Sequence, residues 1–576
     1  MLKLASALTQ HPIRTLVAIL LVYSLLILPA ARRHGISWDE QTDIAIARSY
    51  LTDKSGWYVG SRSDPSQTRL PMAAVAVAYA LLGADSLLIG RLVSCLAGAL
   101  TLVGVYVYGA SASNRRVGLI AAGILATSPF FLSFARIAFT ETDVYVACAF
   151  SWLLVCVAQL ERQWSAGWAA LTGLAMGLAI SAKFTAVTVL PALVLYLALV
   201  RRRDAEQRTR TGLLDTTILT VLSAAALYIW VWAALVIKIS DPRALLQGPF
   251  VLVLGCWVVV LLWAAYKRRQ SLTPLATALL VLSVALLTFA VVPPTHTTNP
   301  AILQSIAGRF ANEMRRDLRF VGEAIALHAL SVLLKSSPGM GLALIGGALI
   351  ALWQWPKDRA VQLPLLLLIF YAGGLAVLPI AQTFYAIPLL PMLAVLAGRA
   401  WIEGLDRHRR IAWSVASVVL VWLLVDLALC MPDYNLNGYQ YLGARPLAGR
   451  SSIGYRSVVQ TTSDGVEQCV AWLNDHAQPW DRVVLYVNPW HIVQATRDPR
   501  SGVRFIKGEK RSLNNHPEWV VTHINAELWQ GFHMDQPQGE VFRPPYNETL
   551  LHENYQRVAV VRRAFGIEMG AVWQRK

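Results

Sequence analysis

Charged residues are scarce in this chain of 576 residues. Asp, Glu, Lys and Arg together make up 15% of the sequence, whereas 56% of the residues are hydrophobic. Soluble globular domains carry about 25% charged residues. The shortage of charge therefore excludes an ordinary soluble protein and predicts a polytopic membrane protein.

Paired cysteines and nucleotide-binding motifs are also lacking. Five of the six cysteines lie in or at the edge of apolar segments, which excludes a disulfide framework and a paired metal-binding spacing. No Gly-x-Gly-x-x-Gly motif or phosphate loop stands between a predicted strand and a predicted helix. The sequence therefore predicts no cofactor; a divalent metal stays open but is not implied.

Acidic residues are fewer than basic ones, 34 against 51, so the formal net charge is +17. The basic residues cluster in short loops between apolar runs, which indicates membrane topology and not a nucleic-acid partner. Such loops face the cytoplasm, so we expect a bacterial inner-membrane protein with its N-terminus inside and the chain after Met431 outside. The basic loops are 113–116, 201–203, 267–269, 357–359 and 407–410.

Apolar segments long enough to cross a membrane recur along the first three quarters of the chain. A transmembrane helix needs about 20 mostly apolar residues. The first segment is predicted to be a retained helix and not a signal peptide, because many spans follow it. The roughly thirteen predicted spans are Thr15–Ala30, Ser86–Ala110, Val117–Ser133, Val144–Leu160, Gly167–Ala182, Thr185–Val200, Leu213–Ile237, Ala244–Tyr266, Leu272–Val292, Pro338–Trp355, Val361–Ile380, Phe384–Ala400 and Ile411–Met431.

One apolar segment, Pro71–Gly83, is too short to be a span. If its 13 residues crossed the membrane, every later basic loop would face outward, against the charge bias. We therefore predict a helix that lies at the outer interface or dips into it. It belongs to a long first external loop, Ala31–Asp85.

The tail, Pro432–Lys576, has shorter apolar runs and more polar residues. Ser463–His476 has helical spacing, whereas Arg482–Val487 and Trp519–Ile524 are typical of buried strands. Arg557–Arg562 and Ile567–Trp573 predict a hairpin. The predicted fold is thus an all-α polytopic membrane domain, residues 1–431, followed by a small external α/β domain, residues 432–576.

The polar outliers of the membrane domain fall on one predicted side, the external one. Each has an ordinary explanation taken alone: Lys183 can extend toward the interface, Arg136 can pair with Glu141, and Tyr385 can belong to an aromatic belt. Their shared side and depth are the stronger evidence for a site. The group comprises Asp39, Glu40, Asp43, Arg69, Arg136, Glu141, Asp143, Lys183, Lys335 and Tyr385.

Carboxylates beside cations at a membrane surface suit one kind of chemistry. A carboxylate can deprotonate a hydroxyl or stabilise a positively charged sugar transition state. Lys and Arg can hold a phosphate leaving group. A polyprenyl-phosphate sugar contains both a sugar and a phosphate, and its lipid tail keeps it in the bilayer.

Short motifs in the same order and spacing resemble a known family. The chain is similar to bacterial relatives of the dolichyl-phosphate-mannose protein mannosyltransferases and of the lipid A aminoarabinose transferase, which are GT-C glycosyltransferases. Two departures stand out: relatives usually carry Asp where Glu141 stands, and Thr383-Phe384 replaces the usual Arg before Tyr385. Basic residues within Arg309–Arg319 are candidates to compensate for that Arg. The matching motifs are Trp38-Asp39-Glu40, Arg69-Leu-Pro71, Arg136 with Glu141, Lys183, Leu334-Lys-Ser-Ser-Pro338 and Phe384-Tyr-Ala-Ile-Pro-Leu-Leu-Pro391.

The resemblance implies an enzyme that transfers a sugar from a polyprenyl-phosphate donor to a glycan, lipid or protein acceptor, with inversion. The expected roles are Asp39 as general base with Glu40 supporting it, Glu141 or Asp143 as second acid, and Arg69, Lys183 and Tyr385 as donor-phosphate ligands. The alternative is a transporter or flippase, which predicts ionisable groups near the bilayer midplane and internal repeats. No repeat is evident. A third hypothesis is a scaffold whose external domain carries the function.

Overall fold

The computed structural model describes two parts of the chain, a helical part and a C-terminal sheet. The described residues are 11–33, 40–49, 51–52, 70–137, 143–163, 166–206, 281, 318–355, 358–376, 383–431, 434, 465–486, 493, 498–508, 512–523, 547–562 and 568–576. Three predicted spans, Leu213–Ile237, Ala244–Tyr266 and Leu272–Val292, lie outside these residues except for position 281. The count of thirteen spans therefore stays a prediction.

The helical part confirms the predicted class, a polytopic membrane protein. Six helices are long and apolar enough to cross a membrane, and a bent pair makes a seventh among the described residues. The helices are α1 Pro12–Arg33, α2 Glu40–Ser49, α3 Leu70–Leu82, α4 Leu87–Ala112, α5 Arg115–Thr127, α6 Pro129–Ala135, α7 Asp143–Arg162, α8 Ala166–Ala182, α9 Leu190–Glu206, α10 Leu318–Lys335, α11 Pro338–Gln354, α12 Arg359–Ala376, α13 Leu390–Arg407 and α14 Arg409–Cys430. Two 3-10 helices, Phe184–Val189 and Thr383–Leu389, precede α9 and α13.

The predicted span Val117–Ser133 is not one straight helix. The chain bends by 66° between α5 and α6. Ser128 has extended backbone dihedral angles because Pro129 follows it, and a residue before proline disfavours the helical region. The Ser128 hydroxyl then accepts a hydrogen bond from the Phe131 amide and caps α6. The bend carries α6 toward its end at Ala135, next to Arg136.

Helix α10 was not predicted. It forms a hairpin with α11 through Ser336 and Ser337, and Ser337 has a positive φ of 73°. Most of the basic segment Arg309–Arg319 lies outside the described residues, so the proposed compensation by its basic residues stays a prediction. The hairpin places Lys335 at a helix end that faces α6.

Helix α3 matches the short apolar segment predicted at Pro71–Gly83. Its residues Met72, Val75 and Tyr79 pack on Ile44 and Ala47 of α2. Leu81, on its other side, is exposed, as a lipid-facing or interfacial residue would be. Helices α2 and α3 thus form a small unit that packs against the first turns of α4.

Close helix packing depends on small residues. A Cβ atom at Gly109 would lie 2.7 Å from the Cα atom of Gly118, so α4 and α5 approach at a distance that only glycine allows. Tyr23 of α1 is buried and donates to the Cys95 carbonyl oxygen of α4 at 3.0 Å. Helix α4 is therefore central in the bundle, with α1, α5 and α7 around it.

The C-terminal part forms the predicted small α/β domain. Its five-stranded sheet has the order β2-β1-β3-β5-β4, with β1, β2 and β3 parallel and β5 antiparallel to both neighbours. The predicted helix and hairpin are confirmed; β2 and α16 were not predicted, and the Asn547 side chain caps α16. The elements are α15 Val466–His476, β1 Arg482–Tyr486, β2 Arg504–Lys507, β3 Trp519–His523, α16 Glu548–Asn554, β4 Tyr555–Arg562 and β5 Glu568–Arg575.

Candidate active site

The predicted site residues share a position at helix starts. Asp143 is the first residue of α7, and Lys183 directly precedes the 3-10 helix Phe184–Val189. Asp39, Arg69 and Glu141 lie outside the described residues, but α2 and α3 begin one residue after the first two of them. Helix N-termini present unpaired N–H groups and a positive field, which favour anions such as phosphate. The side chain of Asp43 also lies outside the described set.

Asp143 and Lys183 form a buried ion pair. The Lys183 Nζ lies 2.6 Å from the Asp143 Oδ2, and the carboxylate is fully buried. The other carboxylate oxygen, Oδ1, is also buried and has no hydrogen-bond partner among the described residues. A buried carboxylate with one occupied and one open oxygen can hold a cation and still accept a hydrogen bond from a hydroxyl group.

Two aromatic rings enclose the same ammonium group. The Lys183 Nζ lies 4.0 Å from the ring centroid of Tyr385 and 5.2 Å from that of Phe384. The two rings meet edge to face, with centroids 4.8 Å apart. Each ring face attracts the cation, and the attraction is stronger away from water. Phe384, which departs from the family pattern, therefore contributes to this site through its ring.

Glu40 is held by a residue that the sequence did not single out. Both of its carboxylate oxygens accept hydrogen bonds from Arg91, at 2.9 Å from Nε and 2.7 Å from Nη2. Both side chains are buried. A guanidinium that binds both oxygens of a carboxylate fixes the position of that carboxylate and occupies part of each oxygen. This geometry favours a supporting role for Glu40 over a proton-accepting one.

Helix α4 connects the two acidic regions. Arg91 contacts Glu40 at the start of α2, and one turn later the Ser94 hydroxyl lies 3.0 Å from the Tyr145 hydroxyl near the start of α7. Residues three apart on a helix share a face. The same face of α4 therefore orders both the segment after Asp39 and the segment that carries Asp143.

Arg136 and Lys335 are two further basic residues whose side chains are almost completely buried in the helical part. The Arg136 Nε donates to the Ser133 carbonyl oxygen at 3.3 Å, and its guanidinium lies 5.9 Å from the ring centroid of Tyr434. The predicted pairing of Arg136 with Glu141 lies outside the described residues. Arg136 is thus held by a backbone carbonyl group of α6 and lies near an aromatic ring.

Sequence reasoning missed Arg91 and Tyr434. Arg91 had a usable signal, since it is the lone charged residue in the 26 residues of α4. An ionisable residue inside a transmembrane helix usually marks a functional site. Tyr434 had no comparable signal, because an aromatic residue after a span is typical of the interface. For metals, no group of three His, Cys, Asp or Glu residues occurs in the part of the chain that the structure describes.

The helical bundle, its buried ion pairs and the appended sheet define a multi-pass membrane protein with charged groups inside the bundle. Residues 69–232 match the family model described as dolichyl-phosphate-mannose-protein mannosyltransferase. The match covers less than a third of the chain and includes α4, Asp143 and Lys183. It confirms the predicted resemblance over this segment and indicates a glycosyltransferase. A comparison with curated proteins found no match.

Solved structures to which this chain is similar include two complexes with a lipid phosphate. One is the archaeal oligosaccharyltransferase AglB from Archaeoglobus fulgidus, in complex with an inhibitory peptide and a dolichol-phosphate, at 12% identity and a TM-score of 0.48, covering 96% of this chain and 79% of that one. The other is ArnT from Cupriavidus metallidurans bound to undecaprenyl phosphate, at 14% identity and a TM-score of 0.46, covering 98% of each chain.

Proposed function

We propose that this protein is a membrane glycosyltransferase that moves a sugar from a polyprenyl-phosphate donor to an acceptor on the outer side of the membrane. The observation that carries the proposal is the buried Lys183–Asp143 pair against the Tyr385 ring. Two of these three residues lie in the segment that matches the mannosyltransferase family model. The predicted distribution of basic loops supports the outer side as the side of transfer.

The surroundings of Lys183 suit a phosphate group on a lipid. An ammonium group has three N–H donors, and Asp143 accepts from one of them. Charge-assisted hydrogen bonds gain strength where water is excluded, and here Asp143 and two rings replace water. A donor phosphate next to Lys183 and the predicted ligand Arg69 would be held by two cations as the bond to the sugar breaks.

Asp39 and Glu40 have different proposed roles. Asp39 accepts the proton of the acceptor hydroxyl, while Glu40 is engaged on both oxygens by Arg91. For the second acid we favour Asp143, because its Oδ1 is buried without a partner among the described residues and is available to orient the acceptor. Glu141 is the alternative.

The proposed reaction is a single displacement. The acceptor oxygen forms a bond to the anomeric carbon as the carbon–phosphate oxygen bond breaks, and the electron pair of that bond leaves with the phosphate. The acceptor proton moves to Asp39, and the charge on the departing phosphate is stabilised by Lys183 and Arg69. Attack opposite to the leaving group inverts the anomeric centre.

A transfer assay tests the proposal. Full-length protein in lipid nanodiscs is given undecaprenyl phosphate or dolichyl phosphate carrying radiolabelled mannose, glucose, galactose or aminoarabinose, together with an acceptor mixture of lipid A, glycans and peptides. We expect labelled acceptor and released polyprenyl phosphate with at least one donor, and neither with the Asp39→Asn variant. Movement of intact donor across liposomes without transfer would instead support a flippase.

A further inference from the structure

Arg91 binds two points of the chain on either side of residues 32–39. Its Nη1 donates to the Ala31 carbonyl oxygen at 2.9 Å, near the end of α1. Its Nε and Nη2 donate to the two carboxylate oxygens of Glu40, at the start of α2. One side chain therefore fixes the distance between the end of the first helix and the start of the next.

We propose that Arg91 is the positioning residue for Asp39, the general base of the proposed function on which this inference rests. Asp39 is bonded directly to Glu40, and the Cα atoms of consecutive residues lie about 3.8 Å apart. Through two hydrogen bonds to Glu40, Arg91 therefore fixes the residue to which Asp39 is covalently bonded. A displacement of about 1 Å at a reacting group can reduce the rate about 100-fold.

The geometry requires an arginine and not merely a positive charge. The guanidinium is a rigid planar fork that donates to both Glu40 oxygens and to the Ala31 carbonyl at once. A lysine ammonium is a flexible point charge and cannot reproduce three fixed directions. Both Arg91 and Glu40 are buried, so water does not compete for these donors.

Helix α4 supports this arrangement because it is itself fixed to its neighbours. The Ser86 side chain caps the start of the helix by accepting from the Ile89 amide at 3.3 Å. Further along, Ser94 contacts Tyr145 and the Cys95 carbonyl oxygen accepts from Tyr23. Because α4 is fixed to α1 and α7, Arg91 links Glu40, the neighbour of Asp39 in the chain, to the helix that carries Asp143.

The test separates positioning from fold stability. Removing one partner of a buried ion pair leaves an uncompensated charge, so Arg91→Gln and Glu40→Gln alone are expected to reduce the amount of folded protein. The double variant, Glu40→Gln with Arg91→Gln, carries no such charge and is expected to accumulate. In the transfer assay above, we expect the double variant to lose about 10- to 100-fold in kcat while the donor KM changes less than about twofold. Arg91→Lys keeps the charge and should show the same loss in kcat.

A matched control exists in the same helical part. Arg399 and Asp358 also form an arginine–carboxylate pair, with Nε and Oδ2 2.7 Å apart. The double variant Asp358→Asn with Arg399→Gln should keep the wild-type kcat. Normal kcat in the Glu40–Arg91 double variant, or a raised KM alone, would overturn the positioning role and leave the proposed function standing. Wild-type protein that transfers no sugar from any donor would overturn the proposed function, and this inference with it.

Discussion

Two ion pairs of the helical part are buried, whereas an ion pair of the C-terminal sheet is exposed. In the helical part the side chains of Arg91 and Glu40 are 4% and 0% exposed, and those of Lys183 and Asp143 are 10% and 0% exposed. In the sheet domain the side chains of Arg482 and Glu518 are 41% and 31% exposed. Water can replace a lost partner in the exposed Arg482–Glu518 pair but not in the two buried pairs.

This difference indicates which charges have a role beyond stability. Burying two charges costs free energy that their attraction only partly returns, so well-packed apolar residues are often at least as stable. Exposed pairs contribute little and are easily replaced. Two buried pairs beside the predicted catalytic acids are therefore better explained by the site they build than by the stability they add. The following predictions test this contrast in order of decreasing effect.

The largest effect is expected for Asp39. Asp39→Asn keeps the size of the side chain but removes the proton acceptor, so transfer should fall about 100- to 10,000-fold while the protein still accumulates in the membrane. The measurement is the initial rate of sugar transfer per folded protein.

Asp85→Asn is the control for that experiment, because Asp85 belongs to the same predicted loop, Ala31–Asp85, but forms an exposed pair with Arg48. It should transfer sugar at the wild-type rate. A turnover close to wild type in Asp39→Asn would remove Asp39 from the role of base.

The buried Asp143–Lys183 pair should respond to loss of one partner by losing stability. Asp143→Asn leaves the buried Lys183 ammonium without its anion, which typically costs about 3–5 kcal/mol. Adding Lys183→Met removes that charge, so the double variant should regain thermal stability in detergent and remain inactive. Recovery of activity together with stability would show that the pair is only structural. In a parallel experiment, Glu141→Gln should keep both activity and thermal stability if Asp143 is the second acid.

A smaller effect is expected when only donor binding is weakened. A charged hydrogen bond contributes about 1.5–3 kcal/mol, so Arg69→Met should lower kcat/KM for the donor at least about tenfold. The comparison with Lys183→Met is made on the donor Kd, which needs no turnover, in the Asp143→Asn background, where Lys183 has no carboxylate partner to lose. If both cations hold one phosphate, the two losses are not additive. Strict additivity with an unchanged donor dependence would contradict a shared phosphate site.

Local pattern explains which elements could be predicted from the sequence. Composition and the spacing of apolar residues predict strongly apolar helices such as α4 and α14. They also predict the β4–β5 hairpin. Helix α10 was missed because its polar residues, including His328 and Ser331, interrupt the apolar pattern. These side chains are buried against the bundle, but hydropathy averaged along the sequence does not detect the burial of polar residues.

The site could be predicted only in part for a related reason. Membrane topology alone places Asp143, Lys183 and Tyr385 on one side, and the structure brings these three into contact. The partner of Glu40 could not be inferred, because Arg91 is 51 positions away and the pairing depends on how α2 packs on α4. Sequence spacing carries no information about such tertiary contacts when no helix or strand period relates the residues.

The smallest effect is expected in the sheet domain, where an exposed pair joins β1 to the residue before β3. Burial alone would raise the pKa of Glu518, but hydrogen bonds from the Arg482 side chain and backbone outweigh burial and lower the pKa to about 2. Because the folded-state pKa lies below the ordinary value of 4.5, this carboxylate stabilises the folded domain above about pH 4.5. That contribution is lost as the pH falls from about 4.5 to about 2.

An exposed pair contributes up to about 1 kcal/mol, so Glu518→Gln should make the sheet domain about two- to fivefold more sensitive to pepsin at pH 5. Measured on the full-length protein, the ratio of variant to wild-type cleavage rates should approach one at pH 2. A ratio that stays constant from pH 5 to pH 2 would mean that the charge of Glu518 does not stabilise this domain.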